Sequence, residues 1–418
     1  MERRVLTGMV VLASIGVLAA LFVNLTGMSD LSAEEKAVQI YKRLAGRGIS
    51  PDDPLIQQMI SRINSGDVRG AGRLVIDQDS GFYNLVVKDM FTRMSTRDEL
   101  VSNQLSDFVA TGIGVVRDDL DARELLTGNY TYRGVAGLPN VRANIATDIL
   151  ASNNHYVDLI NTDLKTSLVK FEPQQVLTAA NAPVANPDPA GLLSSRGFLG
   201  AHAIAGTNRR IIEFTFREFL CVPIEGWSDP SAPDNFIGQD VERFPEGSNA
   251  KFQSNCRACH AQMDPLRGAF ANVVFDGTKV IHSGVDLNTT FFRNAAPNVG
   301  IAIKYLPTGA NQKFPSGYAP TDTRFQNYAI TGVNASYFGW DPTKLKGSGM
   351  NAFGDMIANS RAFPRCLVRR AFREVCKRSE VEGDAAAINA VTNEFVSGGY
   401  KLKTVFEALV ARPECLGQ

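Results

Sequence analysis

Apolar residues recur at helical spacing over the first and last parts of this chain, and the rhythm breaks between them. Ser32-Ala-Glu-Glu35 has the form of a capping box ahead of Ala37, Val38, Ile40, Tyr41 and Leu44, which share one helix face. Leu55, Met59, Ile60 and Ile63 make a second stripe, and Arg97 to Ala110 carries a third. A short, polar-flanked helix is expected over Asn153 to Ile160. Arg209 to Cys221 reads as a helix with Ile212, Phe216, Phe219 and Leu220 on one side. Further helices are expected from Met350 to Ile357, from Ala385 to Phe395 and from Leu402 to Val410. Pro364 suits the first helical position of another, with Leu367, Val368, Ala371, Phe372 and Val375 as its buried stripe. Between these, Pro223 to Ser248 and residues 261–349 are rich in Gly, Pro, Asn and Asp and read as loops.

The start of the chain follows another pattern. Met1-Glu-Arg-Arg4 is basic, and Val5 to Leu25 carries no charge, about the 20 residues a bilayer span needs. No small-x-small cleavage site follows Phe22 to Gly27, so an uncleaved N-terminal anchor is expected rather than a removed signal peptide. Arg3 and Arg4 place that end in the cytoplasm and everything after residue 30 outside it. The expected location is periplasmic, anchored to the inner membrane, or secreted if the segment is cleaved. The chain has 43 basic and 43 acidic residues, and this balance gives no pointer to nucleic acid or to an acidic substrate.

The expected organisation is an anchor or signal peptide at 1–30, a helical domain at 31–180, a linker at 181–195, a loop-rich central domain at 196–345 and a C-terminal helical domain at 346–418. The linker rests on the run Asn181-Ala-Pro-Val-Ala-Asn-Pro-Asp-Pro-Ala190. The fold class expected is mainly α, with multi-helix domains, a loop-rich central segment and an N-terminal transmembrane helix.

The chemistry concentrates in Cys256-Arg-Ala-Cys-His260, the C-x-x-C-H pattern of covalent haem c attachment. On a helix, Cys256 and Cys259 lie almost one turn apart on one face, so their thiols can each add to a vinyl group of one haem. His260 can then offer its imidazole to the iron. The rivals are a redox dithiol and half of a zinc site. Zinc needs a second Cys/His pair at ligand spacing, and Cys366, Cys376, His155, His202 and His282 are too scattered to form one. A thioredoxin-like dithiol wants a preceding strand, but residues 247–255 are polar. One haem c per chain is therefore expected, held by Cys256, Cys259 and His260. Asp264-Pro265 should stop its helix early.

An electron-transfer site also needs a second axial ligand, Met or His. Met350, after the glycine-flexed Gly347-Ser-Gly349, is the first candidate. His202, His282 and Met263 are the others, and an open position is the remaining case. His155 reads as a structural histidine. Phe270, Phe275, Phe291 and Phe292 are candidates to wall the haem from water, or ordinary core. The arginines of 365–378 can pair with propionates, dock an acidic partner or form a solvated face. Cys221, Cys366, Cys376 and Cys415 remain, enough for two disulfides in three possible connectivities.

These motifs resemble the planctomycete-type multi-domain cytochrome c proteins. The haem segment of that family carries C-x-x-C-H, then Asp-Pro, then Phe-Asp, matched here by Cys256 to His260, Asp264-Pro265 and Phe275-Asp276. Glu124 to Thr131 is similar to the family's preceding helical domain. Phe363 to Cys376, Gly399 to Leu402 and Ala408 to Val410 resemble its small C-terminal helical domain. The usual Asp-Pro-x-Gly is stretched here to Asp264-Pro-Leu-Arg-Gly268. The resemblance implies a secreted or membrane-tethered monohaem cytochrome whose partners are redox proteins. Three functions compete: a one-electron carrier, a haem enzyme of peroxidase or oxidase type, and a haem-based sensor or scaffold in the cell envelope. A dihaem peroxidase would need a second C-x-x-C-H, which the sequence lacks.

Overall fold

Ser32 opens the first helix, α1 (Ala33–Ala45), with the reciprocal bonds its sequence predicts: its hydroxyl accepts from the Glu35 N–H, and the Glu35 carboxylate accepts from the Ser32 N–H at 2.7 Å. The computed structural model describes residues 31–416, apart from 102–103, 144, 204–207, 239–240, 286–291, 294–300 and 303–322. The expected anchor at 1–30 and Phe291 lie outside the described residues. Among the described residues, no helix is long and apolar enough to cross a membrane.

The architecture is mainly helical. Helices α2 (Pro54–Asn64) and α3 (Val68–Gln78) pack with α1. A π-helical turn at Phe82–Val87 leads into α4 (Lys88–Met94). The next helix, α5, runs Asp107–Arg117, so the helix expected from Arg97 starts ten residues later than its apolar spacing suggests. Two side chains explain the delay. Glu99 takes a left-handed backbone (φ 51°) and turns its carboxylate to Arg370 and Arg373. Asp107 accepts the Arg196 and Gly197 N–H groups at 2.6 and 2.8 Å, which ties the start of α5 to that of a later helix.

Two antiparallel strand pairs follow. Strand β1 (Thr131–Gly134) pairs with β2 (Leu168–Phe171), and β3 (Gln175–Leu177) with β4 (Pro183–Ala185). The helix α6 (Asn154–Leu159) between β1 and β2 carries His155. This residue is structural, as expected: its Nε2 accepts the Gly134 N–H at 3.0 Å and its Nδ1 lies 2.7 Å from the Arg142 carbonyl. The proline-rich run at 181–190 is a packed element and not a spacer. It supplies β4, and Asn186, Ser194 and Gln174 form a buried hydrogen-bonded set across it. Proline is tolerated there because β4 is an edge strand.

Then come α7 (Arg196–His202), α8 (Arg209–Phe219), α9 (Asn249–Asn255), α10 (Arg257–Met263) and a 3₁₀ segment, Asp264–Phe270. Asp264-Pro265 thus ends the α-helix where the sequence predicts. A hairpin of β5 (Val273–Phe275) and β6 (Val280–His282) follows, and later β7 (Arg324–Gln326) pairs with β8 (Lys346–Ser348). The last helices are α11 (Gly349–Ala358), α12 (Ala362–Cys376), α13 (Ala385–Ser397) and α14 (Leu402–Val410), each near its expected range. Pro364 sits at the third position of α12, still in the first turn, where a missing N–H costs no bond.

The two helical ends of the chain share one core, which also runs through the centre. α14 packs on α1 and α3, so closely that a Cβ on Gly72 would meet Val410 Cγ1 at 2.8 Å. The boundaries drawn at 31–180 and 346–418 therefore cut through continuous packing. The C-terminal segment covers the N-terminal helices because α12 and α14 present their apolar stripes to α1, α3 and α4.

Disulfides fix this arrangement. Cys221 pairs with Cys366, joining the end of α8 to α12, and Cys376 pairs with Cys415, which ties down the C-terminus. The first bridge spans 145 residues of sequence. Replacing both Cys221 and Cys366 by alanine is expected to lower unfolding stability by about 2–4 kcal/mol, because the unlinked chain regains loop entropy. Urea unfolding of variant and wild type checks this. Equal midpoints would show that the bridge constrains little.

Candidate haem-attachment site

The C-x-x-C-H run lies on two short helices in tandem. Ser248 caps α9, and Cys256 then occupies the cap position of α10, its carbonyl accepting the His260 N–H at 3.1 Å. Cys256, Cys259 and His260 thereby fall within little more than one turn. Both cysteines are free and half-buried, whereas the other four are joined in disulfides. Cys256 packs on a small apolar cluster of Ala232, Ile237, Phe252 and Ala261, separate from the main core.

Burial raises the Cys259 thiol above its ordinary range, and the Glu225 and Glu213 carboxylates add to that rise. A redox-active dithiol needs the opposite, a thiolate favoured by positive surroundings. Among the described residues, no three His, Cys, Asp or Glu side chains gather as a metal cluster. The pair is thus not completed as a zinc site there, and Cys259 lacks the surroundings of an activated thiol.

His260 is fixed from one side. Its Nδ1 lies 3.1 Å from Asp264 Oδ1, one helical turn on, and its side chain keeps 23% of its exposure. Among the described residues nothing bonds its Nε2, so that nitrogen is open to a ligand. Asp264 is buried and held by a bidentate pair from Arg209 (2.6 and 2.8 Å) and by the Gly238 N–H at 2.7 Å, with Arg267 3.7 Å away. Burial alone would raise this carboxyl. The hydrogen bonds from Arg209 and His260, with the charges of Arg209 and Arg267, overcome it and hold the group well below the usual carboxylate range.

Around α10, as at several other places, some buried polar atoms have no partner among the described residues. Glu213 Oε2, Trp227 Nε1 and both amide atoms of Gln262 are buried and unbonded. Buried polar atoms are normally paired, so these have room for a further hydrogen-bonding group. Gln262 lies on α10, the short helix bearing Trp227 packs on α10, and Glu213 acts on Cys259. Burial pushes the Glu213 carboxyl up to about 7, helped by Glu225.

The candidate distal ligands come from four different elements. Met350 is the second residue of α11, 1% exposed and part of the main core, with its N–H donated to Asp188. Met263 ends α10, also at the edge of the main core. His282 in β6 is buried, and its Nδ1 accepts the Gly284 N–H at 2.9 Å. His202 ends α7, fully buried, stacked on Phe214 at 4.1 Å and edge-on to Phe198, with neither nitrogen hydrogen-bonded. Burial, with Arg210 and Arg217, lowers it to about 3, so its ring is neutral at pH 7. Phe270 packs on Phe353 in the core, and Phe275 lies over Gly200 of α7.

Arginines of α12 form ion pairs. Arg370 bonds Glu218 at 2.8 Å and Glu99 at 3.2 Å, Arg373 also takes Glu99, and Arg369 pairs with Glu380. Arg370, 11% exposed, ties α12 to α8 and to the segment before α5, while Arg369 and Arg373 keep part of their surface in solvent and Arg365 is exposed.

Asp264 was visible in the sequence as a helix stop, and its position four residues after His260 is the one signal of its second role. Arg209 and Gly238 gave none, because each reaches the site only through tertiary folding. Comparison of the chain with protein-family models, with curated proteins and with solved structures found no match.

Proposed function

We propose that this chain is a monohaem c-type cytochrome that passes single electrons between redox partners on the periplasmic side of a membrane. Cys256 and Cys259 would hold the haem through two thioethers, and His260 Nε2 would ligate its iron. The haem supplies a one-electron ferric/ferrous couple. The observation that carries the reading is the free thiol pair beside an imidazole whose Nε2 is unengaged and whose other nitrogen is held in place. The two disulfides support it separately, since they belong to the oxidising compartment in which haem c is attached. The resemblance to planctomycete-type cytochromes points the same way. The uncharged segment at Val5 to Leu25 would tether the protein.

The chain's own residues have separable tasks in this scheme. Asp264 orients the His260 ring, and Arg209 and Arg267 keep Asp264 ionised. The apolar cluster around Cys256 excludes water from one side of the attachment turn.

The test is the full chain, produced in cells with haem c maturation machinery. One haem per chain that survives denaturing electrophoresis is expected. A low-spin spectrum with the weak long-wavelength iron–methionine band points to a methionine as distal ligand, with Met350→Ala and Met263→Ala deciding which. A high-spin spectrum that shifts with peroxide, carbon monoxide or nitric oxide replaces the carrier by an enzyme or sensor. A chain without covalent haem overturns the proposal.

A further inference from the structure

We infer that Asp264 is a positioning residue that makes His260 an unusually electron-rich ligand and so biases the iron toward its oxidised state; this rests on the haem reading above. The argument starts from the geometry of one turn. His260 Nδ1 and Asp264 Oδ1 are 3.1 Å apart. The carboxylate takes two Arg209 N–H groups and the Gly238 N–H, all of which need it as an acceptor. An ionised carboxylate has no proton to give, so His260 Nδ1 must donate. The ring proton is thereby fixed on Nδ1, and the lone pair is fixed on Nε2.

The partner is also stronger than the common one. A ligating histidine often donates to a backbone carbonyl or water, while a carboxylate is the more basic acceptor and draws the ring toward imidazolate. Negative charge passed to Nε2 favours ferric over ferrous iron. The charge of Asp264 is not free to act alone, because Arg209 binds it bidentately and Arg267 lies 3.7 Å away. Arg209 thus opposes the bias, and the two residues form an adjustable pair. Asp264 is also immobile: its side chain is 1% exposed, and its Arg209 clamp opens α8, whose far end is bridged to α12 at Cys221–Cys366. The ligand's partner is thus anchored to the frame of the molecule rather than to the loop that carries the motif.

Two holo variants of the full chain test this by redox titration and by electron paramagnetic resonance of the ferric state. Asp264→Asn is expected to shift the midpoint potential positive and to change the ferric g values, since the ring loses its carboxylate. Arg209→Gln is expected to shift the potential negative, since the carboxylate then donates more fully. A purely structural role would move neither set of g values while haem stays bound. If Asp264→Asn does not mature, the sign for Arg209→Gln decides alone, and a positive shift or none overturns the inference. Covalent haem with unchanged potential and g values in Asp264→Asn overturns it too. Absence of haem from the wild type would instead remove the proposed function on which it rests.

Discussion

Changing both Cys256 and Cys259 to serine is expected to abolish covalent haem while leaving the fold in place. Each thiol is the only atom in its side chain able to form a thioether, so the loss is all or none and not a weakening. The fold should survive because neither residue belongs to a disulfide, both are half-exposed, and Cys256 touches only a small cluster apart from the main core. The cost of the two substitutions is that of surface or edge positions, within about 1 kcal/mol. Far-ultraviolet circular dichroism and a urea midpoint near that of the haem-free wild type would show this. Single substitutions should keep one thioether and shift the absorption bands to longer wavelength, since one vinyl group stays conjugated with the ring. His260→Ala should keep both attachment points and lose the proximal ligand, giving a changed spin state. A serine pair that still carries covalent haem would sink the assignment of this motif.

Much of the fold was legible in the sequence because helices here are specified locally. The capping box at Ser32, the stripe of α8 and the stripe of α12 each encode their element within one short window. The central attachment helix was legible for the same reason, as was its end at Asp264-Pro265. The failures share one cause, which is that tertiary partners outweigh local pattern. Arg97 to Val101 have helical spacing but form no helix, because Glu99 bends its backbone to reach two arginines of α12, 271 and 274 residues on. The proline-rich run at 181–190 looks like a linker by composition, yet it supplies a strand and its Asn186 bonds the buried Gln174. Disulfide connectivity could not be chosen from spacing, because the partners of Cys221 and Cys415 depend on how α8, α12 and α14 stack. The same holds for the site. Cys256, Cys259 and His260 are contiguous and were readable, whereas the Arg209 clamp on Asp264 is made by folding alone. Met350 looked available after its glycines but lies within the core at the start of α11.

The largest loss of stability is expected from Arg370→Leu, and it should depend on pH. Glu218 on α8 is fully buried, and Arg370 of α12 is its partner at 2.8 Å, with Arg217 beside it at 3.0 Å. Burial raises the Glu218 carboxyl from 4.5 to about 7, even against the pull of Arg370 and Arg217. Breaking a buried pair on one side leaves an uncompensated charge, which costs about 3–5 kcal/mol. Because the folded state holds this proton more tightly than the unfolded state, its contribution is full below pH 4.5 and is lost as pH rises through 7. Without Arg370 the folded carboxyl rises further, so the penalty should be small at pH 5, where Glu218 is protonated, and near its full size at pH 8. Asp264 acts in the opposite sense, losing its contribution only as the medium becomes more acidic than its ordinary carboxyl range, and so does not enter this window. Glu213 adds to the decline of the wild type between pH 4.5 and 7, but it is common to both proteins and cancels in the difference. Urea midpoints at pH 5 and pH 8 for wild type, Arg370→Leu, Glu218→Gln and the double variant give the measurement. The double variant should recover most of the loss at pH 8, since a neutral amide needs no cation, and the coupling should shrink at pH 5. An Arg370→Leu penalty of equal size at both pH values would mean that the guanidinium acts by packing and by its bonds to Glu99, and that the buried charge of Glu218 is not what α12 was placed to meet.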